Sequence, residues 1–411
     1  MALAPEAVTP ATATIPGAGH SLASSRWALL YGNFVIGCGV MVVPGSLNDL
    51  TRSLDVSVAI GGQLITAAAI VMCLGAPLMA AAVGRIDRRR LLVLALAWYG
   101  LGHLLCALVP SYAALLPVRA ATMLAAAVFT PQAAAAIGSL APPAERGRAI
   151  TFVFLGWSVA SVFGLPLHSY IGEAFGWRWA FGLVALLAAI GAVWLRAVMP
   201  GGIRPPAMDL RAWKRIFTDP LLMAIVAVTA VAGSGQFTVF VYFAPYFKQV
   251  LAADATQISL MFAAFGACGF IGNVLLSRHV DRVGAGRAVA VLLVMVATTM
   301  LLWPLGTSLP LLLLVMLPWA FSFFACNSAQ QARLGEAAPA LAPALMALNT
   351  SGIYLGQAVG AASGGAMVGA QGASGAAAYA NLHWVALGWS LVALALSLWA
   401  SRQCRLRAAA A

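Results

Sequence analysis

The stretch "VGRIDRRRLL" (Val83 to Leu92) follows a long apolar run, and an altered copy of it stands later in the chain. Shifted by 197 positions, it aligns with "VDRVGAGRAV" (Val280 to Val289), with valine on valine and two arginines on arginines. The glycine and the aspartate have exchanged places, as Gly84 and Asp87 in the first copy and Asp281 and Gly284 in the second. A charged turn repeated at almost half the chain length predicts an internal duplication.

The composition places this duplicated chain in a membrane. Only 8% of its 411 residues are charged, 62% are hydrophobic, and the mean hydropathy is +0.94. A soluble domain carries about 25% charged residues, so a water-soluble fold of this length is excluded. The six cysteines show no metal or disulfide spacing, and we expect no cofactor and no metal. No grouping typical of an enzyme active site stands within the apolar runs.

Twelve apolar stretches are long enough to cross a bilayer, which takes about 20 helical residues. They lie near 27–46, 59–83, 91–109, 113–138, 150–171, 178–197, 220–246, 257–278, 289–306, 310–332, 341–366 and 381–400. Their many glycines and alanines favour helices that pack closely in lipid. The sequence therefore predicts an all-α membrane protein with twelve transmembrane helices in two pseudo-symmetric six-helix bundles.

The domain boundaries follow from the same count. We expect a disordered N-terminal tail (1–25), a first bundle (26–198), a cytoplasmic linker (199–219), a second bundle (220–400) and a cytoplasmic tail (401–411). With the N-terminus inside, 19 of the 23 lysines and arginines fall in cytoplasmic segments, as the positive-inside rule requires. Both termini are predicted to be cytoplasmic, and the net charge of +12 reflects topology, with no nucleic acid as a partner.

A second repeat supports the duplication. Span five carries small residues at multiples of four, and span eleven carries a matching stripe at an offset of 196: Gly156, Ala160, Gly164 and Gly172, then Gly352, Gly356, Gly360 and Gly364. Parallel repeats of this kind are typical of transporters with a site between the two halves. We expect Gly156 and Gly164 to serve helix packing, and Pro166 to bend span five as part of a gate.

Four stretches carry a resemblance to a known family. They are "GAPLMAAAVGRIDRRRLL" (75–92), "LPVRAATM" (116–123), "GLPLHSYIGEAFGWRWAF" (164–181) and "GQFTVFVYFAPYF" (235–247). Together they resemble the major facilitator superfamily, and within it the drug:proton antiporter group related to bacterial sugar and arabinose exporters. The resemblance covers nearly all of the chain after residue 26.

The resemblance implies a secondary active transporter of the bacterial inner membrane that exports a small organic compound by alternating access. The compound would be drug-like, or a sugar-like or nucleoside-like metabolite. The expected partners are this small-molecule substrate, protons if flux is coupled to them, and the lipid bilayer, with the protein as a monomer. An uptake permease, an uncoupled facilitator and a non-transporting membrane sensor of the same fold are the alternatives.

Proton coupling is left open because the usual acid is missing. Where relatives place a carboxylate in span one, this chain reads "GCGVMV" with Val40 at the site, although a proton antiporter needs a titrating group inside its pathway. His168, Asp49 and Glu173 are the coupling candidates. Among them His168 alone lies on the glycine face of span five, and imidazole titrates near neutrality. The alternative is that His168 is a hydrogen-bonded polar residue at a helix end with no part in coupling.

The two charged turns are expected to pin the inner ends of the bundles by ion pairs and helix dipoles in one state of the cycle. Asp87 is expected to pair with Arg88 or with the facing bundle. The alternative is that these arginines only enforce topology. The expected gate residues are Gly75, Arg85, Asp87, Arg88, Asp281, Arg282 and Gly284.

Arg119 is the strongest single candidate for the substrate pathway. A central arginine in a membrane helix is costly, so it is expected to face the bundle interior with a partner. Snorkelling toward the outer interface is the alternative. The expected pathway residues are Asn33, Gln63, Arg119, Gln236, Tyr242, Asn327, Gln330, Asn349, Tyr354 and Gln357, and each uncharged one fits interhelix hydrogen bonding equally well.

Overall fold

The computed structural model describes residues 22–56, 58–204, 210–370, 377, 379 and 381–410. In these residues it has fifteen α-helices and no strand. They are α1 Leu22–Ser53, α2 Val58–Ala82, α3 Arg88–Leu108, α4 Tyr112–Leu140, α5 Arg146–Val159, α6 Leu165–Phe175, α7 Trp177–Val198, α8 Leu210–Thr218, α9 Pro220–Phe240, α10 Phe243–Val250, α11 Ala255–Val283, α12 Ala285–Leu302, α13 Leu309–Ala337, α14 Ala342–Ala370 and α15 Leu382–Ala410.

The predicted all-α fold of twelve spans is confirmed. Eleven segments of the described chain are long and apolar enough to cross a membrane, and the 29-residue α14 takes the place of the eleventh span. α5 and α6 form the fifth span together. The spans of α1–α7 make the N-terminal bundle and those of α9–α15 the C-terminal bundle, with α8 between them. The twelve spans thus fall into two six-helix sets.

The helices extend beyond the apolar stretches at both ends of the chain. α1 begins at Leu22 and α15 continues to Ala410, inside the segments expected to be tails, because a helix does not stop where apolar residues stop. Alanine and arginine are good helix formers and continue it toward water. Residues 1–21 of the expected N-terminal tail, and 205–209 of the linker, lie outside the described residues.

The linker is tied to the C-terminus at one acidic residue. Asp219 caps α9 by accepting hydrogen bonds from the backbone of Leu221 and Leu222, and both of its oxygens accept from Arg407 at 2.8 and 3.0 Å. The Arg407 guanidinium holds the pKa of the Asp219 carboxyl below its usual range. This contact joins the start of the seventh span to the end of the twelfth.

Span five is interrupted where the sequence predicts a bend. Residues Ala160–Gly164 form a π-helical turn, and Pro166 follows in the first turn of α6. A π turn supplies irregular backbone, so the proline ring fits without breaking a regular α-helical hydrogen bond. The counterpart of this span, α14, is one continuous α-helix.

Glycine stripes bring helix backbones into contact in both bundles. A Cβ added at Gly156 would lie 2.2 Å from the carbonyl oxygen of Leu30 in α1. In the second copy, a Cβ at Gly360 would lie 2.5 Å from the carbonyl oxygen of Ser234 in α9. The α1–α5 and α9–α14 crossings are therefore equivalent close-packed pairs, as expected for small residues in membrane helices.

The two bundles meet along their inner faces. We call the end with the α2–α3, α4–α5, α11–α12 and α13–α14 connections the Arg-rich end. There Asp281 of α11 contacts the start of α5, and further along Asn273 of α11 donates a hydrogen bond of 2.9 Å to Ser158 of α5. Ser351 of α14 likewise donates to the carbonyl oxygen of Cys73 in α2. Contact thus runs from the Arg-rich end to the middle.

Toward the opposite end the bundles have separate cores. The apolar cluster around Phe243 and Trp319 contains only C-terminal residues. The N-terminal core, in contrast, includes Ala342 and Met346 from the start of α14, at the Arg-rich end. The bundles are therefore in contact from the Arg-rich end as far as Val162 and Gly266, and we call the region between their inner faces beyond these residues the vestibule.

Candidate functional site

Arg119 lies in the interior of the N-terminal bundle. Its guanidinium donates to His103 Nε2 at 2.9 Å and to the carbonyl oxygen of Gly39 at 2.7 Å. His103 Nδ1 lies 2.8 Å from the carbonyl oxygen of Tyr99. Because Nε2 accepts from the arginine and Nδ1 faces a carbonyl, His103 is neutral with its proton on Nδ1. Arg119 is thus held by neutral groups.

Arg119 faces the bundle interior with a partner, and its role in the substrate pathway stays a prediction. The side chain is 1% exposed, so it does not snorkel, and α3 and α1 supply its hydrogen-bond partners. The described residues contain one ion pair, between Arg407 and Asp219. A buried guanidinium without a carboxylate is costly, and this cost makes its neutral partners essential to its position.

Gly39 is a site residue that the sequence analysis missed. A Cβ at this position would lie 2.2 Å from the Tyr99 hydroxyl and 2.7 Å from His103 Nε2. The glycine lets α1 approach the His103–Arg119 pair closely enough for its carbonyl oxygen to accept from Arg119. In "GCGVMV", Gly39 directly precedes Val40, the position at which relatives carry the acid. This neighbourhood was the sequence feature that could have indicated its role.

The duplication repeats a hydrogen-bonded polar group in each bundle. Asn33 donates to the carbonyl oxygen of Val153 at 3.3 Å and accepts from Thr130 at 2.9 Å. In the second copy, Thr229 donates to Asn349, which donates to Asn327 at 3.0 Å. The two groups correspond at the repeat offset, 33 with 229, 130 with 327 and 153 with 349. Each joins the first, fourth and fifth spans of its bundle.

Several other expected pathway residues are likewise engaged inside their own bundle. Gln330 donates to the carbonyl oxygen of Ile225 and to Thr229. Gln236 accepts from the Trp319 indole at 3.2 Å. Tyr242 donates to the carbonyl oxygen of Ala361. These side chains hold helices together, which is the alternative to a role in substrate binding for polar residues in membrane helices.

The remaining pathway residues are partly exposed, apart from Gln63, which is exposed. Tyr354 donates to Met72 Sδ at 3.0 Å across the bundles, and Gln63 accepts from Tyr112 near the end opposite the Arg-rich end. Asn327 and Gln357 are partly exposed. The structure therefore does not gather the ten expected residues into one pocket.

The three coupling candidates lie in different surroundings. His168 of α6 is fully buried, and neither of its ring nitrogens has a hydrogen-bond partner. Asp49 accepts from the backbone of Trp177 at 2.8 Å, at the start of α7. Glu173 is exposed near the end of α6. Asp49 is thus engaged as a helix cap, and His168 alone combines burial with free nitrogens.

The first charged turn stays within its own half of the chain. Asp87 caps α3 by accepting from the backbone of Arg90 at 3.1 Å, and accepts from Gly202 at 2.7 Å. The expectation that Asp87 pairs with Arg88 or the facing bundle is wrong, because the unpaired N–H groups of the helix start attract the carboxylate. Arg88 donates instead to backbone carbonyls of its own turn. Gly75 lies further back, inside α2.

The second charged turn reaches across to the other bundle. Both carboxylate oxygens of Asp281 accept from the backbone N–H of Arg148, at 3.1 and 3.0 Å, in the first turn of α5. A negative charge at a helix start is stabilised by the helix dipole. Gly284 ends α11 with a φ of +85°, which favours glycine. Arg85 and Arg282 are exposed.

We expect Asp281→Asn to open the Arg-rich end. The substitution keeps the shape and one acceptor oxygen but removes the charge, and because Asp281 is exposed that charge contributes at most about 1 kcal/mol. The conformation open at that end should become up to about fivefold more populated. Spin labels at positions 85 and 287, both exposed, would report the distance between the bundles. Asp87→Asn is the matched control, since it removes the same charge from a carboxylate whose contacts stay within its own half of the chain, and it should leave this distance unchanged.

Comparison with known proteins gives the family. The family model described as Major Facilitator Superfamily matches residues 29–361. The chain belongs to the Major Facilitator Superfamily. It is therefore a multi-pass membrane transporter that binds small molecules, and it is not an enzyme.

Named relatives of this superfamily chain include bacterial transport proteins. It is 28% identical over 343 residues to the inner membrane transport protein YdhP of Escherichia coli strain K12, covering 84% of this chain and 88% of the relative. It is 31% identical over 246 residues to a probable sugar efflux transporter of Helicobacter pylori, covering 60% of this chain and 63% of that one.

Solved structures share the superfamily fold. The human organic anion transporter MFSD10 matches with a TM-score of 0.75 at 19% identity, covering 92% of this chain and 98% of that one. The proton:xylose symporter XylE bound to 6-bromo-6-deoxy-D-glucose matches with a TM-score of 0.73 at 16% identity, covering 91% and 94%. At these identities the likeness concerns the fold alone.

Proposed function

We propose that this protein is a secondary transporter that exports a small organic compound by alternating access, working as a monomer. The observation that carries the proposal is the Asp281 contact with the start of α5. It joins the two bundles at the Arg-rich end, where an alternating-access cycle has to open and close. A contact made by the two oxygens of a single carboxylate can be broken and remade during a cycle. The similarity to a probable sugar efflux transporter supports the outward direction.

The proposed orientation places the Arg-rich end and both termini in the cytoplasm. Arg85 is exposed at that end and Thr307 at the opposite end, whereas Arg88 is 1% exposed and unsuited to labelling. In a variant lacking the six native cysteines, a membrane-impermeant maleimide should label Arg85→Cys only in inverted vesicles and Thr307→Cys only in right-side-out cells. The reverse pattern would overturn the orientation.

Transport direction is tested in cells. A strain lacking the protein should accumulate more of at least one compound from a panel of toxic organic molecules, and the native chain should restore growth. Improved growth with less intracellular compound in the deletion strain would favour the uptake permease. Purified protein that binds a compound yet gives no flux in proteoliposomes would favour a membrane sensor.

We expect His168 to carry any proton dependence of this flux. It is buried with free ring nitrogens in the bundle that holds Arg119, and imidazole ordinarily changes charge near neutrality. His168→Gly should leave substrate binding intact but flatten the pH dependence of flux in proteoliposomes. Glu173→Gln, at an exposed position, is the control and should keep that dependence. Native flux indifferent to an imposed pH gradient would make the carrier an uncoupled facilitator.

A further inference from the structure

The inner face of the C-terminal bundle carries a continuous layer of phenylalanine rings. Phe323 of α13 is central, with its ring centroid 4.8 Å from Phe240 of α9, 5.9 Å from Phe237 and 5.2 Å from Phe324. Phe240 also contacts Phe262 of α11, at 6.0 Å. All five rings are partly exposed. We call these five residues the phenylalanine face.

Buried rings hold this face in place. Phe265 lies 5.2 Å behind Phe323, Phe243 lies 5.3 Å from Phe240, and Trp319 contacts both buried phenylalanines. These three side chains are at most 3% exposed. Since rings packed edge to face have little freedom to turn, the phenylalanine face is preorganised, and a planar ligand meets a fixed surface.

The phenylalanine face begins where contact between the bundles ends. A Cβ at Gly266 of α11 would lie 3.5 Å from Val162 in the facing bundle. Phe262 precedes Gly266 by four residues, one helical turn closer to the vestibule on the same face of α11. Phe323 likewise precedes Asn327 by one turn of α13. The face is therefore part of the vestibule wall just beyond the closed half.

The acidic side chains of the described chain lie away from this wall, at helix ends or in connections. They are Asp49, Asp55, Asp87, Glu145, Glu173, Asp219, Asp254, Asp281 and Glu336. Phenylalanine faces attract cations, but the nearby bundle holds the charge of Arg119 with neutral partners only. The fixed charge beside the vestibule therefore opposes an organic cation.

Most polar groups near the wall are already hydrogen-bonded inside their own bundle. Asn33, Thr229 and Asn349 are engaged within their bundles, and Gln236 is engaged by Trp319. A sugar that leaves water needs a partner for each hydroxyl, and an unpaired hydroxyl is costly. Beside the partly exposed amide of Asn327 the wall offers rings, whereas a sugar would require a polar partner for every hydroxyl.

We infer that the substrate of this carrier is an uncharged compound with an aromatic ring, which stacks on the phenylalanine face. The inference rests on the proposed transport function and selects one class from those the fold allows. Phe240 and Phe323 are the residues that contact the ring. Sugars and organic cations are the competing classes.

Equilibrium binding to the purified full chain in nanodiscs tests this inference independently of flux. Radiolabelled chloramphenicol, tetraphenylphosphonium and arabinose represent an uncharged aromatic compound, an aromatic cation and a sugar. We expect chloramphenicol to bind saturably and most tightly. Phe240→Leu and Phe323→Leu keep apolar volume but lose the ring, and each should weaken chloramphenicol binding about tenfold.

Phe217→Leu is the matched control, because Phe217 is exposed on α8 at the Arg-rich end and its loss should not change binding. Tighter binding of arabinose or tetraphenylphosphonium, no saturable chloramphenicol binding, or full affinity in both leucine variants would each overturn the inference. Failure of export in cells while chloramphenicol binding follows these expectations would refute the proposed direction and leave the substrate class standing.

Discussion

Arg119→Ala should abolish transport while the protein still inserts and folds. The guanidinium makes two charge-assisted hydrogen bonds, to His103 and to the backbone of Gly39, and these hold α1 against α3 and α4. Their loss removes about 3 kcal/mol of the interaction free energy that keeps these helices in place. This corresponds to a flux at least about 100-fold lower. Folding is affected less, because the substitution also removes the desolvation cost of a buried charge.

Flux in proteoliposomes and elution of the detergent-purified protein as a single species are the measurements. Arg52→Ala is the control, since Arg52 is exposed at the end of α1 and its loss should leave flux unchanged. Arg119→Lys should restore part of the activity, because lysine keeps the charge but cannot bridge two acceptors in the planar geometry of arginine. Near-normal flux in the alanine variant would remove Arg119 from the transport mechanism.

Gly272→Ala should give the largest loss of stability of any single added methyl group. A Cβ at Gly272 of α11 would lie 2.0 Å from the carbonyl oxygen of Phe321 and 2.9 Å from its Cα. Because these are backbone atoms of α13, the two helices must move apart. Overpacking costs about 1–3 kcal/mol and more where backbone must shift, so we expect the upper end of that range.

The duplication supplies a matched control for this change. Gly75 stands 197 positions earlier, but a Cβ there would meet side chains alone, the nearest being Leu124 at 3.2 Å. Gly75→Ala should therefore lower the unfolding temperature little, whereas Gly272→Ala should lower it strongly in the same detergent. Equal effects of the two substitutions would show that the α11–α13 contact is less close than the structure describes.

The sequence predicts the fold better than the site, for a physical reason. Span number and duplication depend on apolar length and on glycine spacing, which are properties of one segment at a time. Hydrogen bonds such as Thr130 to Asn33 join residues 97 positions apart, and no periodicity identifies which polar groups satisfy one another. For this reason the expected pathway residues Asn33, Gln236 and Asn349 could not be separated from interhelix contacts.

The order of aspartate and glycine within the charged turn also decides which contact the aspartate makes. Asp87 and Asp281 stand in copies of the same turn, yet Asp87 lies at the start of a helix of its own bundle and Asp281 lies before the end of one. The first position is a cap, and the second faces the other bundle. The phenylalanine face escaped notice for another reason, because apolar residues in a membrane helix give no sign of whether they meet lipid or substrate.

The π turn at Ala160–Gly164 occurs in one copy of the repeat only. α14 has no such break and lies backbone to backbone along α9 at Gly356, Gly360 and Gly364, so this pair can rotate only as one solid piece. Span five, in contrast, has a possible hinge between α5 and α6, at which the angle between the two helices can change. We therefore expect the two halves of this carrier to move differently in each cycle. The C-terminal half should rotate as a rigid body, and the N-terminal half should bend at the π turn.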